Sequence, residues 1–162
     1  MRRGIRFLRR GREVQLEDIP PTLTLLDYLR LTEHAVGTKE GCAEGDCGAC
    51  TVVLRKRVRG QLVYQPVNAC ILLAGQADGA EIITVEDLAN GALHPVQQQL
   101  ADQHGSQCGF CTPGFVTTIS AYLKKNPNPS LDEVREACKG NFCRCGTYPR
   151  VFEAALAAAK QA

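Results

Sequence analysis

Cysteine is the residue type that sets this chain apart, because nine cysteines occur among 162 residues that include one methionine and no tryptophan. Disulfide pairing is disfavoured, since the count is odd and close pairs such as Cys143 and Cys145 cannot easily bridge each other. The sequence therefore predicts that the thiolates bind a metal ion or an iron–sulfur cluster. The nine positions are Cys42, Cys47, Cys50, Cys70, Cys108, Cys111, Cys138, Cys143 and Cys145.

The first group of cysteines reads Cys42-x4-Cys47-x2-Cys50, and Cys70 follows after a gap of nineteen residues. This is the plant-type ferredoxin spacing for a [2Fe-2S] cluster. Glycines at positions 41, 45 and 48 suit a loop that turns backbone N–H groups toward sulfur atoms. A four-cysteine zinc site usually has two close knuckles, and only Cys47 and Cys50 match one. The spacing therefore favours a cluster over zinc.

The second group consists of two close pairs, Cys108-Gly-Phe-Cys111 and Cys143-Arg-Cys145. Two such pairs suit either a zinc ion or a second [2Fe-2S] cluster. Cys-x-Cys is unusual for a zinc knuckle, so the spacing favours the cluster while leaving zinc open.

Cys138 belongs to neither group and lies within a helical run. We interpret it as a small buried apolar side chain, with a spare ligand or redox-active thiol as the alternative.

Size and composition exclude several other classes of protein. A mass of 17.6 kDa is too small for a self-sufficient large enzyme. A hydrophobic fraction of 44% and a charged fraction of 22% are ordinary globular values, and a net charge of +2 is too small to indicate nucleic-acid binding. No stretch approaches the roughly 18 apolar residues of a membrane span, and no apolar run follows the N-terminal arginines. The sequence thus predicts a cytoplasmic chain without its own export signal.

The first half of the chain is predicted to form a small sheet around one helix. A leucine-rich helical segment near Leu25 follows Pro20-Pro21, and Thr22 is the expected cap. The order of hairpin, helix, hairpin and final strand fits the β-grasp arrangement of small ferredoxins, although periodicity alone would not choose it, and we assign this ferredoxin-like domain to residues 1–80. The predicted strands are residues 5–8, 13–16, 51–58, 61–67 and 82–85.

The second half is predicted to be helical, which makes the fold class α+β with a helical domain over residues 86–162. Ser130 and Glu133 form a capping box for the third helix, which Gly140 is expected to end. Both close cysteine pairs fall at helix ends, so a four-helix arrangement could gather their four thiols. The predicted helices are residues 96–104, 114–125, 130–139 and 151–160.

Four segments together resemble one known family. They are residues 37–51 (Gly-Thr-Lys-Glu-Gly-Cys-Ala-Glu-Gly-Asp-Cys-Gly-Ala-Cys-Thr), 94–97 (His-Pro-Val-Gln), 107–115 (Gln-Cys-Gly-Phe-Cys-Thr-Pro-Gly-Phe) and 140–145 (Gly-Asn-Phe-Cys-Arg-Cys). The chain resembles the iron–sulfur small subunit, or the N-terminal iron–sulfur region, of the xanthine dehydrogenase family of molybdenum hydroxylases. Residues 38–115 are most similar to bacterial xanthine dehydrogenase small subunits. Residues 146–150 (Gly-Thr-Tyr-Pro-Arg) depart from the Thr-Gly-Tyr of many members and are more like the isoquinoline and aldehyde oxidoreductase branch.

The resemblance implies two four-cysteine ligand sets. One would hold a ferredoxin-like [2Fe-2S] cluster, and the other would hold a second [2Fe-2S] cluster in the helical domain. Gln107 and Cys145 match the positions that approach the molybdopterin of a large partner subunit, Cys145 through a hydrogen bond at its sulfur. The two sets are Cys42, Cys47, Cys50 and Cys70, and Cys108, Cys111, Cys143 and Cys145.

The resemblance also implies a hetero-oligomer and a division of labour. The large subunit would oxidise the substrate at molybdenum, and electrons would leave singly through the helical-domain cluster and then the ferredoxin-like cluster. The acceptor would be flavin on a FAD-binding medium subunit or an external electron acceptor. This chain would then be the non-catalytic iron–sulfur subunit of a molybdenum-containing oxidoreductase of the xanthine, aldehyde or N-heterocycle dehydrogenase type.

The remaining polar residues point to no chemistry on an organic substrate. His34, His94 and His104 are scattered and have no neighbouring nucleophile that indicates a triad, so we predict no catalytic residue. Basic residues concentrate on the two predicted hairpins, where they form either a solvated sheet face or a docking face for a flavin subunit or acidic acceptor. These residues are Arg2, Arg3, Arg6, Arg9, Arg10, Arg12, Arg55, Lys56, Arg57 and Arg59.

Two other functions are compatible with the cysteines alone. A free-standing two-cluster ferredoxin-type electron carrier would use the same chemistry without an obligate partner. A zinc-stabilised interaction module would have no redox role. The helical half and Gln107 favour the subunit over the simple carrier, because a carrier needs only the first domain.

Overall fold

Two β-hairpins and one short strand between them build a five-stranded sheet in the first half of the chain. The computed structural model describes residues 4–161. The order is β2-β1-β5-β3-β4, in which β5 runs parallel to β1 and antiparallel to β3. The hairpins and the closing strand predicted from the sequence are confirmed. The strands are β1 (Gly4–Arg9), β2 (Arg12–Glu17), β3 (Thr51–Val58), β4 (Gln61–Asn68) and β5 (Glu81–Ile83).

One short helix, α1 (Leu25–Asp27), continues into a π-helical turn over Tyr28–Thr32. The cap is Thr24, whose hydroxyl accepts the Asp27 N–H at 3.0 Å, and the expectation of Thr22 was wrong. Thr24 has extended backbone and bridges Leu73, so the chain cannot enter the helix earlier. The first core lies between the sheet and this helical segment, and its buried side chains include Leu25, Leu26, Leu29, Val52, Leu54 and Ile82.

Four helices form the second half, which confirms the predicted α+β architecture. The longest, α3, is buried along most of its length because it packs against its sister helices and also against β3 and β4. The second core includes the side chains of Val96, Phe115, Ile119, Val134 and Val151. The helices are α2 (Pro95–Asp102), α3 (Thr112–Lys125), α4 (Leu131–Ala137) and α5 (Tyr148–Ala159).

The start of α4 follows the sequence prediction, but its end does not. The hydroxyl of Ser130 accepts the Glu133 N–H, and the Glu133 carboxylate accepts the Ser130 N–H at 2.7 Å, as expected of a capping box. The helix ends at Ala137, so Cys138 is the C-cap residue and Gly140 lies beyond it. Ending α4 early frees the chain to carry the next cysteine pair toward the sheet domain.

A buried ion-pair network fastens the connection between the halves to the sheet. After β5 the chain forms a 3-10 turn over Val85–Leu88. The carboxylate of Asp87, 7% exposed, pairs with the guanidinium groups of Arg9 and Arg10 and accepts the Thr84 N–H at 2.8 Å. Arg9 is only 4% exposed and also pairs with Glu33 at 2.9 Å. Asp87 therefore links the connecting segment to the end of β1.

The Asp87 carboxylate is ionised in this network over most of the pH range. Burial raises the pKa of Asp87, but the Thr84 N–H and the Arg10 and Arg9 guanidinium groups together outweigh burial and hold the pKa below its ordinary value. A carboxyl with a lowered pKa in the folded state contributes stability above its ordinary pKa and loses it as the pH falls through the folded-state value.

Within residues 4–161 the longest and most apolar helices still fall short of what a membrane crossing requires.

We expect Asp87→Asn to destabilise the folded chain by about 3 kcal/mol at pH 7, because it leaves a buried guanidinium without its main charge partner. The difference from the unsubstituted protein should shrink as the pH falls below the ordinary carboxyl pKa of about 3.9 and then through the lower folded-state value, where Asp87 itself becomes protonated. Urea unfolding followed by circular dichroism at several pH values measures both effects. Asp132→Asn is the matched control, since this exposed carboxylate pairs only with Arg135 at the surface and should cost less than about 0.5 kcal/mol. Equal losses for the two variants would contradict the network's role.

Candidate functional site

The first cysteine group lies on a tightly bent loop directly before β3. The Cys42 sulfur accepts the N–H groups of Asp46 at 3.3 Å and Cys47 at 3.4 Å. Positive φ angles at Ala43, Gly45 and Gly48 bend the backbone so that these N–H groups point inward. The loop therefore wraps around the Cys42 sulfur, as its glycine content predicts.

Cys70 reaches the same place from the other strand of the hairpin. It follows β4, just as Cys50 precedes β3, and antiparallel pairing of the two strands sets Thr51 opposite Asn68. Besides burial, the neighbouring Cys50 thiol and Cys42 both raise the pKa of Cys70, which places them close to it. The second hairpin thus joins the distant fourth cysteine to the three of the loop.

The surroundings of this group favour the thiolate at one position and oppose it at another. The N–H groups of Cys47, Glu44 and Asp46 lower the pKa of Cys42 to about 7 against a small opposing effect of burial. Burial and the neighbouring Cys50 thiol raise the pKa of Cys70 to about 12. Metals bind the thiolate form of cysteine. Ligation by Cys42 would therefore displace a weakly held proton, whereas ligation by Cys70 would need the positive charge of a metal to offset its raised pKa.

Close approach by Gly41 leaves room for the sulfur atoms. A Cβ atom placed on Gly41 would lie 2.8 Å from the Cys47 sulfur and 3.5 Å from the Ala49 Cβ. Real Cβ atoms do not come this close to another heavy atom, so a side chain here would have to displace the Cys47 thiol. The lack of a side chain at position 41 therefore leaves the space that the Cys47 sulfur occupies.

The second group forms where two helix–helix connections meet. Cys111 is the N-cap residue of α3, and Cys143 and Cys145 lie between α4 and α5. Besides burial, the neighbouring Cys143 thiol and Cys108 both raise the pKa of Cys111, which places them close to it. The structure thus places Cys108 and Cys143 close to Cys111, and the Cys145 N–H close to the Cys143 sulfur, so the two loops meet at these cysteines.

The start of α5 orients Cys143. The Cys143 sulfur lies 3.2 Å from the Thr147 hydroxyl, and the Cys143 N–H donates to the Tyr148 hydroxyl at 2.7 Å. Burial raises the pKa of Cys143, but the Thr147 hydroxyl and N–H and the Cys111 thiol outweigh it and lower the pKa to about 7. Burial and the Cys143 thiol raise the pKa of Cys111 to about 12. The contributions of Thr147 and Tyr148 were missed from the sequence, because hydroxyl residues near a cysteine carry no spacing signal.

Cys138 stands apart from both groups. It is 3% exposed and belongs to the core of the helical half. Burial alone raises the pKa of Cys138 to about 12, whereas other cysteine thiols contribute to the shifts of Cys70 and Cys111. The side chain therefore behaves as a small apolar core residue, in agreement with the interpretation from the sequence.

Gln107 lies beside Cys145 on the surface of the helical half. Its side-chain amide donates to the Cys145 carbonyl at 3.4 Å. Both Cys108 and Cys145 are exposed, whereas Cys143 is buried. The second group therefore opens outward on the side that Gln107 borders.

The two cysteine groups are connected by a backbone hydrogen bond. The Phe142 N–H donates to the Cys47 carbonyl at 2.9 Å. Phe142 directly precedes Cys143, so this bond links Cys47 of the first group to the segment that carries Cys143 of the second group. The aromatic rings of Phe142 and Phe110 are about half exposed beside this junction. Sequence analysis marked the Gly-Asn-Phe-Cys-Arg-Cys segment as a motif but did not identify this contact.

The side chains of the two groups supply the donor types that a [2Fe-2S] cluster requires. Within residues 4–161, no three His, Cys, Asp or Glu side chains are arranged to hold one metal ion. A [2Fe-2S] cluster makes a different demand, because its four thiolates are divided between two iron atoms. Four thiols and inward-pointing N–H groups at the first site, and four thiols with a hydroxyl neighbour at the second, fit that demand.

The basic residues of the hairpins are largely occupied within the chain. Arg2 and Arg3 lie outside the described residues. Arg9 is buried, and Arg55 pairs with Glu81 across the sheet. Arg57 donates to the Gly60 carbonyl in its own hairpin turn. Arg9 is thus a structural residue and cannot contribute to a docking surface.

Comparisons with known proteins identify two domains of the same kind. Residues 8–75 match the 2Fe-2S iron-sulfur cluster binding domain, and residues 84–156 match the [2Fe-2S] binding domain. Together these family models span both cysteine groups.

Relatives and solved structures agree with the domain matches. Xanthine dehydrogenase of Emericella nidulans is 47% identical over 154 residues, which are 93% of this chain and 11% of that protein. The crystal structure of quinoline 2-oxidoreductase from Pseudomonas putida 86 has a TM-score of 0.81 and 38% identity, over 99% of this chain and 94% of the matched chain. Aldehyde oxidoreductase from Desulfovibrio gigas has a TM-score of 0.86 and 34% identity, over 96% of this chain and 17% of its own. The chain spans about a tenth of the curated relatives it matches.

We expect Gly41→Ala to lower the free energy of unfolding by about 1–3 kcal/mol, because the new methyl group would overlap the Cys47 sulfur. Gly75→Ala is the matched control, since a Cβ at that position meets no atom within 4 Å. Thermal unfolding by circular dichroism compares the two variants, and visible absorbance shows whether the iron–sulfur chromophore is altered. A Gly41→Ala protein as stable as Gly75→Ala would show that the loop has free space at this position.

Proposed function

This chain belongs to the iron–sulfur chains of the xanthine dehydrogenase family of molybdenum hydroxylases, and on that premise we propose that it is the electron-transfer subunit of such an enzyme. In this proposal it takes electrons from a molybdenum centre on a large partner subunit and delivers them singly to flavin or another acceptor. The observation that carries the proposal is that cysteines from distant segments meet in two separate groups, whose loops are hydrogen-bonded to each other.

In the first domain, which we take to extend to residue 80, Cys42, Cys47, Cys50 and Cys70 would hold one cluster. Their role is to supply thiolates, and the N–H groups of Asp46 and Cys47 would stabilise negative charge at the Cys42 sulfur. Two [2Fe-2S] clusters, when bound, would supply one-electron storage with little change in geometry.

In the second domain, residues 86–162, the proposed ligands are Cys108, Cys111, Cys143 and Cys145. Thr147 and Tyr148 would hold the Cys143 side chain and backbone in place while the ligand set is assembled. Residue 162 lies outside the described part of the chain. Support for this set comes from the thiol contacts and from the match of residues 84–156 to a [2Fe-2S] binding domain.

The face around Gln107 and Cys145 is the proposed contact with the molybdopterin of the large subunit. Cys145 is exposed, and Gln107 is tied to its carbonyl, so both could reach an external ligand without rearrangement of the helices. A sulfur at the surface could accept a hydrogen bond from a pterin amine and give a short path into this chain. Gln107 would position the Cys145 backbone during that contact.

We place the electron exit at the cysteine end of the second hairpin. The basic turn at Arg57 and Arg59 lies eight strand residues beyond Cys50, which is about 27 Å at roughly 3.4 Å per residue. An acceptor docked on that turn would stand far from the first cysteine group. A flavin subunit or external acceptor that docks on the loop carrying Cys42 and Cys47 would therefore lie closer to the first cysteine group.

The cytoplasmic location predicted from the sequence stays a prediction.

The decisive measurement is electron paramagnetic resonance of the purified full-length chain. Reduction by dithionite should produce two distinct [2Fe-2S] signals, with about four iron atoms per chain by metal analysis. Purines, aldehydes and N-heterocycles should not reduce the isolated chain, because the proposed division of labour places substrate oxidation on the partner. A single signal, or turnover of an organic substrate without a partner, would refute the proposal.

Two matched cysteine variants separate ligands from core residues. We expect Cys111→Ser to lose one of the two paramagnetic signals and about half of the iron, because hydroxyl oxygen is a poor replacement for a thiolate at iron. Cys138→Ser changes the same atom in the same domain and should keep both signals. It should still cost about 1–3 kcal/mol, since it buries a hydroxyl in an apolar core. Loss of iron from both variants would contradict the assignment of Cys138 to the core.

A further inference from the structure

The two cysteine-bearing domains touch at a point where the backbone has almost no side chains. Gly48, between Cys47 and Cys50, faces Gly114 on α3 and Gly140 after α4. A Cβ on Gly114 would overlap the Gly48 carbonyl oxygen, and a Cβ on Gly48 would overlap the Gly140 carbonyl oxygen. The two loops are therefore in direct backbone contact at this junction.

One polar side chain reaches across the contact. Asn141 is 5% exposed, and its side-chain amide donates to the Gly48 carbonyl at 3.1 Å. The same carbonyl accepts the Thr51 N–H at 3.1 Å and the Thr51 hydroxyl at 2.7 Å. The next residue, Phe142, donates its N–H to the Cys47 carbonyl. Two consecutive residues of the helical half thus bind two consecutive carbonyls of the first cysteine loop.

The position of Asn141 is itself fixed by the fold. Its backbone N–H donates to the Cys138 carbonyl at 2.9 Å, in the turn that ends α4. A Cβ on Gly48 would lie 2.7 Å from the Asn141 amide nitrogen, so the amide fills the space that a side chain at position 48 would need. A buried amide that is held this closely contributes geometry as well as binding energy, because it has one available arrangement.

We propose that Asn141 is a positioning residue that locks the Cys47 loop to the Phe142–Cys143 segment and thereby sets the separation of the two clusters. This inference rests on the proposed function, since it assigns Cys47 and Cys143 to different clusters. Asn141 touches neither thiol group, and it acts through the Gly48 carbonyl. The Gly-Asn pair of the 140–145 motif then has a role separate from ligation.

The test measures the magnetic dipolar coupling between the two reduced clusters in the purified full chain by pulsed electron paramagnetic resonance. In Asn141→Ala we expect weaker and more widely distributed coupling than in the unsubstituted protein, with the individual signals of the two clusters unchanged. Asn141→Asp keeps the side-chain volume, removes the amide donor and should give the same result. It serves as the second variant if Asn141→Ala does not fold.

Asn126→Ala is the matched control, because Asn126 donates to Tyr122 and Glu133 within the helical half only. It should lower thermal stability without changing the coupling. Unchanged coupling in a folded, iron-replete Asn141 variant would overturn the positioning role while leaving the proposed function intact. Absence of two cluster signals in the unsubstituted protein would instead overturn the proposed function.

Discussion

Direct backbone contact between two loops is the constraint on which the arrangement of this chain depends. The two cysteine groups are built on separate cores, one under a mixed sheet and one among helices. They approach each other only if the loop after Cys47 can lie against α3 and the end of α4. Gly48 and Gly114 permit that approach, because a methyl group at either position would overlap a carbonyl oxygen. Thr117 strengthens the same junction by donating its hydroxyl to the Thr51 carbonyl at 2.8 Å.

The segment that connects the two domains provides further contacts between them. Asp87 joins the segment after β5 to Arg9 at the end of β1 and to Arg10 in the following turn, and Gln97 on α2 donates to the Val85 carbonyl at 3.0 Å. The Gln97 carboxamide also accepts the His94 N–H as part of the cap of α2. The His-Pro-Val-Gln segment that sequence analysis marked thus has a structural use, which is to anchor the second domain to the end of the first. The connecting segment is thus bonded to the sheet domain through Asp87 and to the helical domain through Gln97.

Spacing can group cysteines from the sequence because ligation imposes a local geometry that short loops record in sequence. The grouping of Cys42 with Cys47 and Cys50 is local, and Cys70 follows from the hairpin that places Asn68 opposite Thr51. The helix cap at Thr24 was harder to predict, because a bridge to Leu73, far along the chain, decides where the helix begins. Asn141 and Asp87 were not predictable from spacing, since each acts across more than seventy residues on a partner with no sequence pattern of its own.

The two cysteine groups differ in how exposed their sulfur atoms are, and this difference supports the proposed order of electron transfer through the two clusters. In the first group Cys50 and Cys70 are buried beneath the hairpin, while Cys42 and Cys47 are partly exposed. In the second group Cys108 and Cys145 are exposed, so a partner surface would cover two sulfurs at once. Covering those sulfurs removes them from water, which changes the stability of the charged cluster state and hence its potential. In the proposed path the second group would therefore respond more to a partner, in keeping with its proposed role as the entry point, whereas the first is insulated mainly by this chain's own residues.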